Sequence, residues 1–423
     1  MFKLRNFGLV AWLWLVVALN ASAQQTQQTL TWEQVRLRFE QNNPTLLADQ
    51  MTVEESRAQE ITAHLRPNPQ LGLLSDQITP FNVGPSTGPF AYLLPSATIS
   101  YLIERDHKRD LRLESAQKAT KVAVSTHADL ERTLLFNLRG AFVSTLQAKA
   151  VLQLAHDNLA YYDHVLNVSR DRFTAGDIAR VDLDRLELQR VQYESDLQTA
   201  LVNLRTAKIQ LLTLLNDRTP IEQFDVNGPF DFNEALSSLD EFRKIALDTR
   251  PDLRAAIESL DKAQTDHKLA VANGSTDPTV SFDIGRNPPI DLYFGVGVSI
   301  PLKIFDRNQG EKLRTKLDID RNQKLVDASQ AQVFSDVDSA YATLSSNLAL
   351  LHPYKEKYLQ QAARVRDTIT FSYQHGGASL LDFLSAENDY RSIQLNYVNL
   401  VGSYLTSVSQ LNLAVGQEVI QVQ

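Results

Sequence analysis

Cysteine is absent from the 423-residue chain. No disulfide framework, thiolate metal site, thiol nucleophile or lipid-anchored N-terminal cysteine is therefore available. Beyond residue 23 there is also no run of 18 apolar residues, which excludes a helical membrane span. The patterns H-E-x-x-H, G-x-S-x-G and the phosphate-binding P-loop do not occur. The chain is accordingly read as a non-enzyme, with no cofactor expected. Its eight histidines form no H-x-x-x-H pair, so no resident metal site is expected. Positive charge is short as well, with 42 Lys and Arg against 50 Asp and Glu and a net charge of −8. A nucleic-acid partner is not expected, because phosphate binding rests on Lys and Arg.

What is present begins with an export signal. Lys3 and Arg5 supply a positive start, Phe7 to Leu19 an apolar stretch, and Ala21-Ser22-Ala23 a small-residue cleavage pattern. Residues 1–23 are read as a signal peptide, with the mature protein starting near Gln24. A single N-terminal anchor is the alternative, but the apolar stretch is short for a span. Losing two basic residues leaves a mature charge of about −10.

The chain is written twice, with a period of about 200 residues, far longer than solenoid repeats. Arg172-Phe173-Thr174-Ala175-Gly176 is followed by Asp182-Leu183, and Ser372-Tyr373-Gln374-His375-Gly376 by Asp382-Phe383. Glu187 matches Glu387, and Gln210-Leu211 matches Gln410-Leu411. Upstream, Asn43-Pro44-Thr45-Leu46 corresponds loosely to Arg250-Pro251-Asp252-Leu253. Two copies of one unit are expected, at 24–220 and 240–423. The segment 221–239 joins them, in a stretch made irregular by Pro220, Gly228 and Pro229.

Each copy is expected to hold helices, a strand pair and a helical hairpin. In the second copy Val280, Phe282 and Ile284 alternate with Ser281, Asp283 and Gly285. After Asn287-Pro288-Pro289, Phe294, Val296, Val298 and Ile300 alternate with Gly295, Gly297 and Ser299. Such alternation fits a transmembrane β-strand, and equally a soluble hairpin covering a core on one side. Strands are expected at about 69–78, 97–104, 279–287 and 293–302. From about Asp106 to Arg172 there is no proline, and Gly140 is the only glycine. A helix of about 65 residues rises roughly 100 Å. Leu130, Leu134, Leu138, Phe142 and Leu146 form a narrow apolar seam along it. Narrow seams joined by tight turns, near 173–182 and 373–382, indicate antiparallel coiled-coil hairpins.

A membrane sheet must close, and four strands per chain cannot close alone. Identical chains sharing one barrel with cyclic symmetry resolve this.

With the doubled aromatic-x-x-Gly-x5-Asp turn and the duplicated strand pairs in view, the mature chain resembles the TolC family of outer-membrane efflux proteins. It is similar to the CzcC-like heavy-metal branch through Leu65-Arg66-Pro67-Asn68-Pro69-Gln70-Leu71, Ile103-Glu104 with Lys108-Arg109 and Arg112, and Phe305-Asp306-Arg307-Asn308-Gln309-Gly310. The resemblance implies a mainly α fold with transmembrane β: a TolC-like trimeric channel, a long helical barrel in the periplasm and a shared twelve-stranded outer-membrane barrel. It also implies a periplasmic adaptor and an inner-membrane resistance-nodulation-division (RND) pump as partners, in a Gram-negative bacterium, with heavy-metal cations as the exported substrate. Export of drugs or secreted protein is the alternative within transport, and a periplasmic structural coiled coil the alternative outside it.

Gly176 and Gly376 are expected to permit the tight tip turns. Asp182 and Asp382 start the returning helices. Two readings fit them: favourable interaction with the helix N-terminus, or a ring of carboxylates at the periplasmic entrance. Arg180 and Tyr373 are candidate contacts holding that entrance closed, as basic and tyrosine side chains do in the family. The family pattern is not followed throughout, since Ala378 stands where TolC has an arginine and Ser385 where it has a second aspartate. His375 is read as a solvated turn residue.

Overall fold

A computed structural model describes residues 28–78, 90, 92–233 and 236–420. The export signal lies outside the described residues. In order the elements are β1 (Gln28–Leu30), α1 (Trp32–Asn42), α2 (Pro44–His64), β2 (Gln70–Asp76), β3 (Leu94–Leu102), α3 (Lys108–Ala175) and α4 (Arg180–Leu214). There follow β4 (Phe224–Val226), α5 (Leu239–Thr249), α6 (Pro251–Ala272), β5 (Thr279–Asn287), β6 (Ile290–Ser299), α7 (Gln309–Pro353), α8 (Leu359–Gln374) and α9 (Leu380–Val415). A short π-helical stretch, Tyr354–Tyr358, joins α7 to α8. Helix α3 runs 68 residues without interruption, as expected where proline is missing. No described helix is long and apolar enough to cross a membrane.

The chain folds as two compact units, each drawing on both halves of the sequence. One contains the residues up to Leu47, Arg132–Leu239 and the residues from Val337 on; the other contains Ala48–Glu131 and Asp240–Asp336.

In the first unit β1 and β4 pair in parallel, Gln28 to Phe224 through Leu30 to Val226. Beneath them Val35, Phe39, Leu138, Phe142, Leu211, Leu215, Phe224 and Val226 form a closed apolar cluster. The edges of this pair are stitched by charge. Asp225 accepts from Lys149 at 2.7 Å and lies 3.2 Å from Lys208, whose ammonium also donates to the Phe224 carbonyl.

The second unit holds one antiparallel sheet in the order β2-β3-β5-β6. Its register sorts the side chains into rows. Leu71, Ile99, Phe282 and Val296 lie opposite one another, and so do Leu73, Ala97, Ile284 and Phe294. On the other face the rows are Gly72, Thr98, Asp283 and Gly295, then Gln70, Ser100, Ser281 and Gly297. Thr98 donates to Asp283 across the strands at 2.6 Å. The first face is thus apolar and exposed, with Val296 at 77% and Leu73 at 76%, while the second is small and polar. A soluble sheet hides its apolar face in a core; this one leaves it bare.

Strand ends follow proline. Strand β3 begins before Pro95, where only β2 pairs with it, so the missing N–H costs no bond to β5. Strand β6 stops at Ser299, short of the expected 302, because Pro301 has no N–H to continue the ladder.

The junction from β3 to α3 is clamped to β5. The Lys108 ammonium donates to Asp277 at 2.6 Å and to the Ser275 carbonyl at 3.0 Å, and the Arg105 amide donates to the same Asp277. Arg112 forks onto Glu104. Lys108 is buried, so removing its charge strands a carboxylate. Lys108→Met should cost about 3 kcal/mol, read as a lower thermal midpoint by circular dichroism in detergent. Lys108→Met/Asp277→Asn should recover most of that loss.

Candidate functional site

The two hairpin tips lie in the first unit and share one backbone solution. At the end of α3 the Gly176 amide donates to Phe173 O at 3.0 Å and the Asp177 amide to Arg172 O at 2.8 Å. At the end of α8 the Gly376 amide donates to Tyr373 O at 3.1 Å and the Gly377 amide to Ser372 O at 2.7 Å. These paired bonds close each helix around a left-handed residue. Gly176 has φ +86 and Gly376 φ +77, with open space where a Cβ would stand. The requirement for glycine is therefore backbone strain alone.

The returning helices differ in how they begin. Helix α9 starts from Ser379, whose hydroxyl accepts the Asp382 amide at 3.1 Å while the Ser379 amide donates to the Asp382 carboxylate at 3.2 Å. The Ser379 hydroxyl and amide hold the Asp382 carboxyl below the usual carboxylate range. Helix α4 starts from Ala179, whose methyl group cannot accept a hydrogen bond. The Asp182 carboxylate has no hydrogen-bond partner among the described residues. Two aspartates equivalent in sequence are thus unequal in structure. Asp382 is engaged in a capping box, and Asp182 is uncommitted.

Arg180 donates to Asp184 at 2.9 Å and lies 5.6 Å over the Phe173 ring, so its contacts stay within the first hairpin. Tyr373 is 5% exposed and stacks on Phe383 at 5.0 Å. Arg172 of the first hairpin donates to its carbonyl at 2.7 Å and sits 5.4 Å over its ring. Burial, the largest influence, raises the Tyr373 phenol above its ordinary range against the lowering effects of Ser169 and Arg172. Within the chain Tyr373 is a clasp between hairpins. Arg172, its partner, was not singled out from sequence. Its signal was an arginine opposite Ser372 in the two copies of the turn.

Behind this clasp lies a buried carboxylate. Glu387 is 5% exposed, and its nearest hydrogen-bond donor is the Thr370 hydroxyl at 3.5 Å. Thr370 in turn accepts from Tyr161 at 3.2 Å. Arg366 is held between the Tyr161 and Tyr390 rings, at 4.6 and 4.0 Å, and donates to Asp367. In the first hairpin the matching Glu187 has its own cation, Arg170, at 3.0 Å. Thr370 occupies the position of that arginine, which leaves Glu387 without a charged partner of its own. Burial pushes its carboxyl up to about 7, against the lowering influence of Arg366 and the Thr370 and Tyr161 hydroxyls.

Alongside, a groove of about 620 Å³ runs between α3, α4 and α9, lined among others by Gln147, Tyr193, Asp196, Arg391 and Asn399. No group of three or more His, Asp or Glu placed to hold a metal ion occurs among the described residues.

Long helices, paired glycine-turned hairpins and a four-stranded sheet with one bare apolar face define an outer-membrane efflux channel, a transport protein and not an enzyme. Residues 243–417 match the family profile of the outer membrane efflux protein. The cobalt-zinc-cadmium resistance protein CzcC of Cupriavidus metallidurans is 24% identical over 331 residues, covering 76% of this chain and 77% of its own. Outer membrane protein TolC of Escherichia coli K12 is 22% identical over 319 residues, covering 70% and 64%. Among solved structures the transmembrane channel CusC superposes with TM-score 0.78 at 18% identity, covering 94% of each chain. By these likenesses the chain is similar to the TolC family of outer membrane efflux proteins, and its place is the outer membrane of a Gram-negative cell.

Two outcomes are expected here. Gly176→Ala and Gly376→Ala should each cost about 1 kcal/mol through the left-handed backbone, seen as additive drops in thermal midpoint. Glu387 should make stability depend on pH with a definite sign. Below pH 4.5 its carboxyl is neutral in folded and unfolded chains alike. As pH rises toward 7 the unfolded chain loses the proton first, so stability falls across that window and levels off above it. Glu387→Gln should flatten the dependence, gaining about 2 kcal/mol at pH 8 and nothing at pH 4. A native profile as flat as that of the variant would contradict this account.

Proposed function

We propose that three copies of this chain form the exit duct of a tripartite pump, and that heavy-metal cations are its cargo. The observation carrying this reading is the sheet. One face is apolar, the other polar, and among the described residues neither the outer edge of β2 nor that of β6 is paired. In hydrocarbon an unpaired edge strands its N–H and C=O groups. Single-chain barrels need about eight strands, so several copies must join edge to edge, and threefold symmetry gives a twelve-stranded wall. The long hairpins then stand together in the periplasm, their tips forming the entrance.

Residues 24–220 and 240–423 are two copies of one unit joined by 221–239. The identical turn hydrogen bonds, offset by 200 residues, support this. The groove between α3, α4 and α9 suits the docking of a periplasmic adaptor helix, with an RND pump in the inner membrane supplying energy. A metal cargo is favoured by likeness to a protein named for cobalt, zinc and cadmium resistance, and by the uncommitted Asp182. Three such carboxylates around a narrow mouth attract cations.

Deleting the gene should sensitise cells to cobalt, zinc or cadmium salts more than to hydrophobic drugs. The reverse ranking would move the assignment to drug export. In planar bilayers the native protein should prefer cations, measured as reversal potential in a salt gradient. Asp182→Asn should remove at least about half of that preference, with a smaller effect from Asp382→Asn. An unchanged double variant would leave both residues as helix starters only.

A further inference from the structure

The apolar row on β6 does not stop where the strand does. Leu292, Phe294, Val296 and Val298 are exposed on one face of the strand, and past Ser299 the exposed apolar side chains continue with Ile300, Leu302 and Ile304. Phe305 follows at 90% exposure, with Leu302 at 79%. Lys303 and Arg307 flank these side chains.

The segment is held in one shape. The Ile304 amide donates to Leu302 O at 3.0 Å, and Gln309 ties both ends of the turn, accepting from the Arg307 amide at 2.8 Å and donating to Phe305 O at 3.1 Å. Asp306 accepts the Asn308 amide at 2.8 Å, and the Asn308 side chain donates to Ala270 O at 2.7 Å. Lys303 donates to the Asn273 carbonyl. Among the described residues the Arg307 guanidinium donates only from its Nε, to Lys303 O at 3.3 Å.

We propose that residues 300–307 are a membrane-interface anchor, seating Phe305 among the acyl chains of the periplasmic leaflet and setting Lys303 and Arg307 against anionic phospholipid phosphates. This rests on the reading that the apolar sheet face meets lipid. Three features select lipid as the occupant. The patch follows the apolar sheet face directly along the chain, with Ile300, Leu302, Ile304 and Phe305 all exposed. Its apolar tips are bracketed by cations, the arrangement that suits hydrocarbon beneath a layer of phosphate. Its conformation is fixed beforehand by hydrogen bonds, so insertion need not order a loose loop. The corresponding junction after β3, Ile103-Glu104-Arg105-Asp106, carries no aromatic residue.

The absence of cysteine allows a single thiol to report on position. Phe305→Cys and, separately, Val296→Cys are labelled with a fluorescent dye in liposomes of phosphatidylethanolamine and phosphatidylglycerol. Quenching by lipids with a spin label near the headgroup is compared with quenching by aqueous iodide. Both labels should be quenched by lipid several-fold more than by iodide. Exchanging phosphatidylglycerol for phosphatidylcholine should weaken shallow lipid quenching at 305 about twofold, but not in a Lys303→Gln/Arg307→Gln background. If lipid fails to quench the label at 296, the barrel reading falls and this inference with it. If 296 is quenched while 305 answers only to iodide, or to neither because a second copy or another protein covers it, the inference alone falls. Insensitivity of 305 to lipid charge would overturn the assignment of the phosphate contacts.

Discussion

A strand in hydrocarbon has nowhere to put an unmade backbone hydrogen bond, and the architecture of this chain can be read outward from that constraint. Each unpaired N–H or C=O in the membrane core costs several kcal/mol, about as much as burying a large apolar side chain returns. Four strands supply two paired interiors and two open edges. The four described strands are too few to close a barrel within one chain. The small residues on the polar face, Gly72, Gly295 and Gly297 among them, add to the same picture. They leave space on one side of the wall and load the other with Leu73, Phe282, Phe294 and Val296.

The same constraint makes the strand ends costly to misplace. Period-two alternation must give way to helical periodicity within a few residues, and the second unit handles each change with a fixed clamp. After β3, Lys108 and the Arg105 amide converge on Asp277, and Arg112 holds Glu104. After β6, Asn308 adopts a left-handed backbone and bonds Ala270. These segments drew attention in the sequence as family signatures. In the structure they are the joints that stop one pattern and start the other.

Much of the fold was legible because its signals are local. Alternation in Val280 to Ile284 and Phe294 to Val298 marks strands, and proline-free length marks α3. Helix starts and glycine turns also follow near-neighbour rules. The pair of tip aspartates also differs for a local reason. Their difference depends on the residue three positions earlier, Ala179 against Ser379, which near-neighbour capping rules distinguish. The roles of Tyr373 and Arg172 depended on contacts 201 residues apart, for which a single sequence gives no register. The β1–β4 pair was missed for the same reason. Each strand has only three residues, too few to show a period.

The two hairpins carry one backbone design and two different sets of side-chain contacts. The first keeps its inner carboxylate, Glu187, in an exposed ion pair with Arg170, and such pairs contribute little to stability. The second buries Glu387 with a threonine where that arginine stood and caps its return with Ser379. A buried carboxyl lacking its own cation stays near the point where proton and solvent compete for it. Ionisation there would act against the packing of Tyr161, Tyr373 and Phe383, the rings that join one hairpin to the other. The exposed pair in the first hairpin can open and close without disturbing any core. Charge-dependent packing is therefore concentrated in α8 and α9.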